Sequence, residues 1–174
     1  MMSTNRNAAG RRMRPCDGVD LLEAAAAADF AAARALFEEY AADLKIDLCF
    51  QGFAAELTQL EERYGPPAGC LLIARRGASS IGCGALRRLS ADTCEMKRLY
   101  VRAGARGAAI GRLIAEGLTA RARSLGYRRM VLDTLAGMIP ARSLYRSLGF
   151  HETAAYFPNP APDALSMELD LRVD

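Results

Sequence analysis

The sequence predicts an α/β domain in which a mixed β-sheet carries helices on its faces. Its 174 residues suit one domain, and a content of 51% hydrophobic and 25% charged residues is that of a globular protein. Patterns typical of strands and helices follow one another in the order strand, two helices, three strands, helix, strand, helix, two strands. That order is typical of a sheet layered with helices.

One strand and two helices are predicted in the first part of the chain. Residues 19–23 form the strand, and Asp29 offers an N-cap for the first helix. The second helix is expected to end at Gly65, because two prolines follow. Apolar residues recur at helical spacing in both helices: Phe30, Ala33, Phe37, Tyr40, Ala41 and Leu44 in the first, and Phe53, Leu57, Leu60 and Tyr64 in the second.

Strands dominate the middle of the chain. Residues 70–74 and 81–86 flank a turn at 77–80, which predicts a hairpin. Residues 94–101 form the fourth strand of the chain and lead into the turn-prone segment 102–107.

Two further helices alternate with the last three strands. The longer helix carries an apolar stripe from Ile110 to Leu125 and is expected to end at Gly126. The shorter helix is expected to begin at Pro140 and to end at Gly149. The strands are predicted near residues 130–133, 150–153 and 166–171. We expect the last strand to lie at a sheet edge, where two protomers could pair as a homodimer.

Charge and cysteine content exclude several classes of partner. The formal net charge is +3, but residues 1–14 hold four arginines and no acid, so the remainder is nearly neutral and lacks the basic face of a nucleic-acid-binding protein. We expect residues 1–17 to be a disordered basic tail, with a transit peptide as the alternative, and residues 18–174 to be the single domain.

Five cysteines without a CxxC pair and a single histidine fit neither a disulfide framework nor a metal site. This composition predicts a reducing, cytoplasmic location and no metal cofactor. No apolar run is long enough to cross a membrane.

The turn after the fourth strand is the strongest candidate for ligand binding. Residues 106–111, Arg-Gly-Ala-Ala-Ile-Gly, open the long helix, whose first turn has unpaired N–H groups and the positive end of the helix dipole. Small residues there let phosphate oxygens approach the backbone, and Arg102, Arg106 and Arg112 add positive charge. The alternative is that these small residues only pack a helix end on the sheet. The motifs of a P-loop and of a Rossmann fingerprint are absent from the sequence.

Four motifs together resemble the GNAT acyltransferase superfamily. They are Glu95-Met-Lys-Arg-Leu-Tyr-Val101, Arg106-Gly-Ala-Ala-Ile-Gly111, Leu132-Asp-Thr134 and Ala141-x-x-Leu144-Tyr145-x-x-x-Gly149-Phe150. The motifs cover about residues 71–150, and the order of elements extends the resemblance over the chain. The family pattern at the turn is Gln/Arg-x-x-Gly-x-Gly/Ala, so Ala109 replaces a glycine. Met138 stands where the family often has an asparagine.

This resemblance implies an N-acetyltransferase that moves the acetyl group of acetyl-CoA to a primary amine by direct attack in a ternary complex. It also implies a mostly antiparallel sheet that splays apart between its fourth and fifth strands, with the thioester in the gap. The pantetheine arm would pair with the backbone of residues 99–101, and residues 107–111 would hold the pyrophosphate. The implied cofactor-binding residues are Leu99, Tyr100, Val101, Arg106, Gly107, Ala108, Ala109, Ile110, Gly111, Arg112, Ala141 and Tyr145.

Two residues are candidates for catalysis. Glu95 has the position of a family glutamate that takes the proton of the amine, directly or through a water. Its alternative role is a structural ion pair with Lys97 or Arg98. Tyr145 matches the family tyrosine that protonates or hydrogen-bonds the sulfur of coenzyme A. Its alternative role is packing, because it belongs to the apolar stripe of its helix.

The acceptor is less well defined. The resemblance implies that residues 43–52 and 156–163 frame its site. Acids in these segments (Asp43, Asp47 and Asp163) would favour a cationic group, and aromatic residues (Phe50, Tyr156 and Phe157) suggest an apolar component. A small-molecule amine, an amino acid, an antibiotic and a peptide lysine or N-terminus are all open as acceptors. We interpret His151 as a surface residue and Cys83 and Cys94 as core residues.

Two other functions suit the same fold. One is a non-catalytic module that binds or senses acyl-CoA, which the departures at Ala109 and Met138 would allow. The other is a structural domain without a cofactor.

Overall fold

The computed structural model describes residues 18–44 and 52–172 of the chain. The strands are β1 (Val19–Glu23), β2 (Cys70–Arg76), β3 (Ser79–Arg88), β4 (Thr93–Val101), β5 (Arg129–Leu135), β6 (His151–Thr153) and β7 (Ala164–Asp170). The helices are α1 (Ala27–Leu44), α2 (Phe53–Thr58), α3 (Leu60–Tyr64), α4 (Ile110–Ser124) and α5 (Ile139–Ser147), and a 3₁₀ turn covers Ala103–Ala105. The expectations for residues 1–17, and for Asp47 and Phe50, lie outside the described residues.

The seven strands form one mixed sheet in the order β1-β2-β3-β4-β5-β7-β6. Strands β4 and β5 are parallel, and the other neighbouring pairs are antiparallel. The predicted α/β class with a mixed, mostly antiparallel sheet is therefore confirmed.

Helices cover both faces of this sheet. Alternate residues of β2 point to opposite faces, as in any strand, so Leu71 and Ile73 pack in one core cluster and Leu72 packs in the other. The first cluster includes Leu36 and Phe37 of α1, and the second is built largely around α4 and α5. Among residues 18–44 and 52–172, no helix has the length and apolar content that a membrane crossing needs.

Helix α4 packs unusually close to the sheet because glycines line the contact. A Cβ atom on Gly84 of β3 would lie 2.7 Å from Ile114 Cγ2 and 2.9 Å from Leu118 Cδ1. A Cβ atom on Gly117 of α4 would lie 2.7 Å from Leu21 Cδ2. The close approach fixes the N-terminal end of α4 beside the end of β4.

Helices α4 and α5 end as the sequence predicts. Gly126 follows α4 with a φ of 84°, and its N–H donates to the carbonyl of Arg123 while Tyr127 N–H donates to Ala122. Gly149 follows α5 with a φ of 93° and the same pair of hydrogen bonds. Both are Schellman endings, which favour glycine because the residue is left-handed.

Two helix predictions were wrong in detail. Asp29 does not precede α1 but lies in its first turn, where its carboxylate accepts hydrogen bonds from the N–H groups of Ala25 and Ala26 at 3.2 and 3.0 Å. The second predicted helix is two short helices, because Gln59 has φ −122° and ψ 27° and interrupts the helical backbone. Apolar spacing could not reveal this break, since the residues on either side keep their buried positions.

The predicted edge position of the last strand was also wrong. Strand β7 pairs with β5 on one side and with β6 on the other, so the edges of the described sheet are β1 and β6. The local sequence pattern carries no information on strand order, which explains the error. The argument for a homodimer through residues 166–171 is lost with it.

Strands β4 and β5 pair only at their beginnings. Three residue pairs join them, Thr93 with Arg129, Cys94 with Met130 and Glu95 with Val131. Beyond these pairs, β4 continues to Val101 and β5 continues to Leu135 without further pairing between the two strands, as expected for a sheet that splays apart. In the described part of the chain, the β5-facing edge of β4 beyond Glu95 therefore has no strand partner.

Candidate active site

An open cleft of about 880 Å³ lies where β4 runs into α4 and faces α5. Its walls come from the end of β4, the turn before α4, and the first two turns of α5. All the predicted cofactor-binding residues except Ala108 line it: Leu99, Tyr100, Val101, Arg106, Gly107, Ala109, Ile110, Gly111, Arg112, Ala141 and Tyr145.

The turn before α4 presents unpaired backbone N–H groups. The first hydrogen bond of α4 runs from Leu113 N–H to the carbonyl of Ala109, so the N–H groups of Ile110, Gly111 and Arg112 precede the helical ladder. Among residues 18–44 and 52–172, no side chain caps this end. Gly107 has a φ of 87° and Ala109 a φ of 55°, so both are left-handed. Such a turn suits an anion, as the small residues indicated.

Three arginines surround the turn, each engaged with neighbouring acceptors. Arg106 donates to the carbonyl of Val101 at 2.9 Å and to Asp43 at 3.1 Å. Arg112 donates to Ser147 at 2.6 Å and to Glu116 at 3.2 Å. Arg102 makes two hydrogen bonds with Glu39 instead.

Tyr145 of α5 lies deep in the cleft. Its residue is only 7% exposed, and its ring packs 5.8 Å from that of Phe150. Burial raises the pKa of its phenol above the usual value, so the hydroxyl stays protonated. Among the described residues this hydroxyl has no hydrogen-bond partner, and it is available to a ligand.

Tyr145 also lines a second, smaller cavity of about 70 Å³. It is lined by charged residues of the two splayed strands, Glu95 and Lys97 on β4 and Asp133 on β5. Tyr145, Leu99 and other residues line both cavities. The two cavities therefore share residues at the gap between β4 and β5, and we call the smaller one the charged chamber.

Glu95 is almost completely buried and is fully engaged. Its Oε2 receives a short hydrogen bond from Arg87, and its Oε1 receives hydrogen bonds from Lys97 at 3.4 Å and from Tyr156 at 2.9 Å. The alternative of an ion pair with Lys97 is therefore present in the structure. The sequence offered no signal for Arg87, which is brought opposite Glu95 by the β3–β4 register.

Asp133 is a site residue that the sequence analysis quoted only as part of a motif. Its carboxylate accepts hydrogen bonds from Ser166 at 2.9 Å and from Asn159 at 3.5 Å. Burial raises the pKa of this carboxyl group above its ordinary value, and the hydrogen bonds offset only part of that shift.

A β-bulge shapes β4 at the centre of the site. Cys83 faces Tyr100 and Ala85 faces Lys97, so Gly84 opposes two residues, Arg98 and Leu99. Arg98 has a φ of 57°, and its guanidinium donates two hydrogen bonds to Glu56 of α2 at 2.9 and 2.6 Å. This buried pair, which no sequence pattern indicated, holds the bulge in place.

Comparison with known proteins identifies this architecture. The model of the acetyltransferase (GNAT) family matches residues 31–150, which is more than half of the chain. The chain belongs to the GNAT acetyltransferase family. An uncharacterized N-acetyltransferase of Schizosaccharomyces pombe is 41% identical to it over 138 residues, covering 78% of this chain and 85% of the relative.

Solved structures show the same GNAT fold. An acetyltransferase from Streptococcus agalactiae superimposes with a TM-score of 0.73 at 22% identity, covering 88% of this chain and 98% of the other. A putative acetyltransferase from Salmonella typhimurium, solved with its cofactor acetyl-CoA, gives a TM-score of 0.65 at 21% identity, covering 89% and 95%. The family match makes this chain a GNAT acetyltransferase, and the two solved structures share its fold.

The residues predicted to frame the acceptor site lie in different places. Asp43 contacts Arg106 and Tyr100 on the side of the large cleft, not the charged chamber. Tyr156 reaches the chamber through Glu95, whereas Phe157 and Asp163 are exposed.

The other candidates lie in the core or on the surface. His151 is on the edge strand, with an exposed side chain beside Glu168. Cys83 and Cys94 are buried, and burial raises the pKa of the Cys94 thiol to about 12. In the described ranges no group of His, Cys, Asp and Glu residues is arranged to hold a metal ion.

Proposed function

We propose that this GNAT enzyme binds acetyl-CoA in the large cleft and transfers its acetyl group to a primary amine that occupies the charged chamber. The observation that carries this proposal is the position of Tyr145, whose side chain lines both cavities at the gap between β4 and β5. With the thioester of acetyl-CoA at that gap, the rest of the cofactor would lie in the large cleft, and the attacking amine would approach from the charged chamber. Direct attack in a ternary complex requires that arrangement.

The cofactor would be held mainly by backbone groups. The free edge of β4 at Leu99–Val101 can pair with the amides of the pantetheine arm, as a strand would. The pyrophosphate would accept hydrogen bonds from the N–H groups of residues 107–112, at the positive end of α4. Arg106 and Arg112 lie beside this position and would exchange their present partners for phosphate oxygens.

Tyr145 is proposed as the residue that stabilises the departing sulfur. A thiol ionises near pH ~8.5 in water, so the thiolate of coenzyme A benefits from a donor at neutral pH. Because burial raises the pKa of Tyr145, the phenol stays protonated and can donate a hydrogen bond, but transfer of its proton to a thiolate, which is the weaker base, is unfavourable. We therefore assign it hydrogen bonding to the developing thiolate, and the proton that the thiolate takes up comes from the attacking nitrogen or from solvent.

Glu95 is proposed to accept the proton of the attacking amine. An alkyl amine has a pKa near ~10.4 and must lose a proton before it attacks or as it attacks. Glu95 Oε1 lies at the chamber wall with Tyr156 and Lys97, and the proton would reach it directly or through a water. Both Tyr145 and Glu95 contribute less than positioning, which can supply about 7–11 kcal/mol.

For the cellular location and the acceptor we propose only a compartment and a chemical class. The cysteines of the described residues, Cys70, Cys83 and Cys94, are free and buried, which fits a reducing, cytoplasmic compartment. The chamber is lined by two carboxylates, Glu95 and Asp133, and by two cationic side chains, Lys97 and Arg98, so we propose a primary amine as the acceptor with no preference for its charge.

The experiment that tests the proposal is release of coenzyme A from acetyl-CoA, followed with a thiol reagent across a panel of primary amines. Turnover with one class of amine and none with matched alcohols is expected. Saturable cofactor binding without acetylation of any acceptor would favour the acyl-CoA sensor instead. Absence of any thermal shift with coenzyme A would favour the structural domain, because a ligand at 100 times its dissociation constant stabilises a protein by about 2.7 kcal/mol.

A further inference from the structure

Lysine is rare in this chain, and one of its lysines lies in the active site. Lys45 and Lys97 are the only lysines among 23 basic residues, the others being arginines. Lys97 lies on β4 with a side chain that is 11% exposed, and it lines the charged chamber. An arginine cannot lose its proton in a protein, whereas a lysine can become a neutral nucleophile.

The surroundings of Lys97 favour its neutral form. Burial lowers the pKa of its ammonium group, and the neighbouring guanidinium groups of Arg98 and Arg87 lower it further. Glu95 opposes this shift but also lies in position to receive the proton, with its Oε1 3.4 Å from Lys97 Nζ. The proposed base for the acceptor amine thus already contacts an amine of the chain itself.

Lys97 and Tyr145 line the same small chamber. Tyr145 also borders the cofactor cleft, so a thioester placed beside its hydroxyl would be bounded on the chamber side by Lys97. The long, unbranched side chain of lysine can reach across a chamber of about 70 Å³ by changing rotamers.

We propose that Lys97 is itself an acetyl acceptor, modified by the acetyl-CoA bound to the same molecule when no external amine fills the chamber. The inference rests on the proposed function, since it uses the same thioester position. The product would be N-acetyl-Lys97 and free coenzyme A.

The reaction balances without any further reagent. Lys97 loses a proton to Glu95, and its Nζ lone pair attacks the thioester carbon to form the C–N bond. The C–S bond breaks with its electron pair going to sulfur, and Tyr145 donates a hydrogen bond to the thiolate. The remaining extra proton on nitrogen passes to the thiolate, directly or through solvent, to give the free thiol of coenzyme A, and no atom is oxidised or reduced.

Acetylation of Lys97 would change the chamber in two ways. It would remove a positive charge from Glu95, leaving Arg87 as its cationic partner among the contacts of the described residues. The acetyl group would also occupy space that the acceptor amine needs. Self-acetylation would therefore switch the enzyme off when cofactor is abundant and acceptor is scarce.

The test uses the purified full-length chain with saturating acetyl-CoA and no amine. Peptide mass spectrometry after digestion with a glutamate-specific protease follows acetylation of Lys97 and Lys45 in the same sample over time. We expect Lys97 to approach complete acetylation, at a rate at least about 100-fold above that of the same lysine in urea-unfolded chain. The rate should saturate with acetyl-CoA, should not change with protein concentration, and should fall when a good acceptor amine is added.

Several results would overturn the inference. Equal rates at Lys97 and Lys45 would indicate simple chemical acetylation, and a rate proportional to protein concentration would assign the reaction to a second molecule. If external amines are acetylated while Lys97 stays unmodified, the inference fails and the proposed function stands. If neither acetyl-CoA binding nor any acetyl transfer is seen, both fail. Activity toward an external amine, assayed after incubation with acetyl-CoA, should fall in proportion to the fraction of Lys97 that is acetylated; activity that stays constant while Lys97 becomes acetylated would contradict the inference.

Discussion

Arg98 donates two hydrogen bonds to Glu56, from Nε at 2.9 Å and from Nη2 at 2.6 Å, and both side chains are at most 3% exposed. Tyr64 donates a third hydrogen bond to the same carboxylate at 2.7 Å. The pair joins α2 to the bulge of β4, so this helix and the strand that lines the charged chamber are held as one unit.

Breaking the ion pair between Arg98 and Glu56 should lower the stability of the folded protein. Glu56→Ala leaves the guanidinium of Arg98 buried without its counter-ion, and we expect the free energy of unfolding to fall by about 3–5 kcal/mol. Urea denaturation provides the measurement. Glu38→Ala is the matched control, because it removes an exposed ion pair with Arg34 and should cost at most about 0.5 kcal/mol. Similar losses in the two variants would contradict this account.

The left-handed conformation of Ala109 predicts a stabilising substitution. A residue with a Cβ atom is destabilised by about 1–2 kcal/mol in the left-handed region of φ and ψ, whereas glycine is not. Ala109→Gly should therefore raise the free energy of unfolding by up to about 1 kcal/mol after the entropy cost of glycine is subtracted. Ala108→Gly is the control, since Ala108 is not among the residues with positive φ, and should lose about 0.4–1 kcal/mol. Thermal denaturation distinguishes the two signs.

Tyr145→Phe tests the proposed role of its hydroxyl. We expect kcat to fall about 100-fold where chemistry limits the rate, while the affinity for acetyl-CoA stays within a few-fold, because the ring remains in place. Tyr127→Phe is the control, since the Tyr127 hydroxyl donates to the Ala68 carbonyl at 2.7 Å and does not line the site. Full kcat in the Tyr145 variant would remove the hydroxyl from the mechanism.

Asp133 should make stability depend on pH. Its pKa is raised in the folded protein, so its contribution to stability is fully present below the ordinary value of 3.8 and is lost as pH rises through the folded value. As pH rises from acidic to neutral, the free energy of unfolding of the parent protein should therefore fall relative to that of the Asp133→Asn variant. Asp170→Asn should show the opposite trend, because Arg172 lowers the pKa of Asp170 and that contribution is lost as pH falls. Parallel stability curves for the Asp133 variant and its parent would show that burial does not perturb this carboxyl group.

The elements that sequence predicts best are those with local signals. Gly126 and Gly149 mark helix ends because each conformation is set by its own backbone, and the turn at residues 106–111 is recognisable because small residues and arginines are contiguous. The family motifs also placed Tyr145 and Glu95, which the structure brings to one chamber.

Long-range relationships could not be predicted in the same way. Glu56 and Arg98 are 42 residues apart, and nothing in either segment specifies the other. The edge assigned to residues 166–171 failed because strand order depends on how the crossover helices pack. The left-handed φ of Arg98 is likewise a product of the bulge, since the residue type itself disfavours that conformation.

The short pairing between β4 and β5 has a consequence for inhibitor design. Beyond Glu95 the edge of β4 offers backbone donors and acceptors at the spacing of a strand, next to an apolar wall that includes Leu135 and Met138. A compound with two or three amides in an extended chain could dock there by main-chain recognition alone. In the proposed function acetyl-CoA occupies this edge, so such a compound would compete with it without carrying a phosphate, and it could cross cell membranes that exclude highly charged nucleotides.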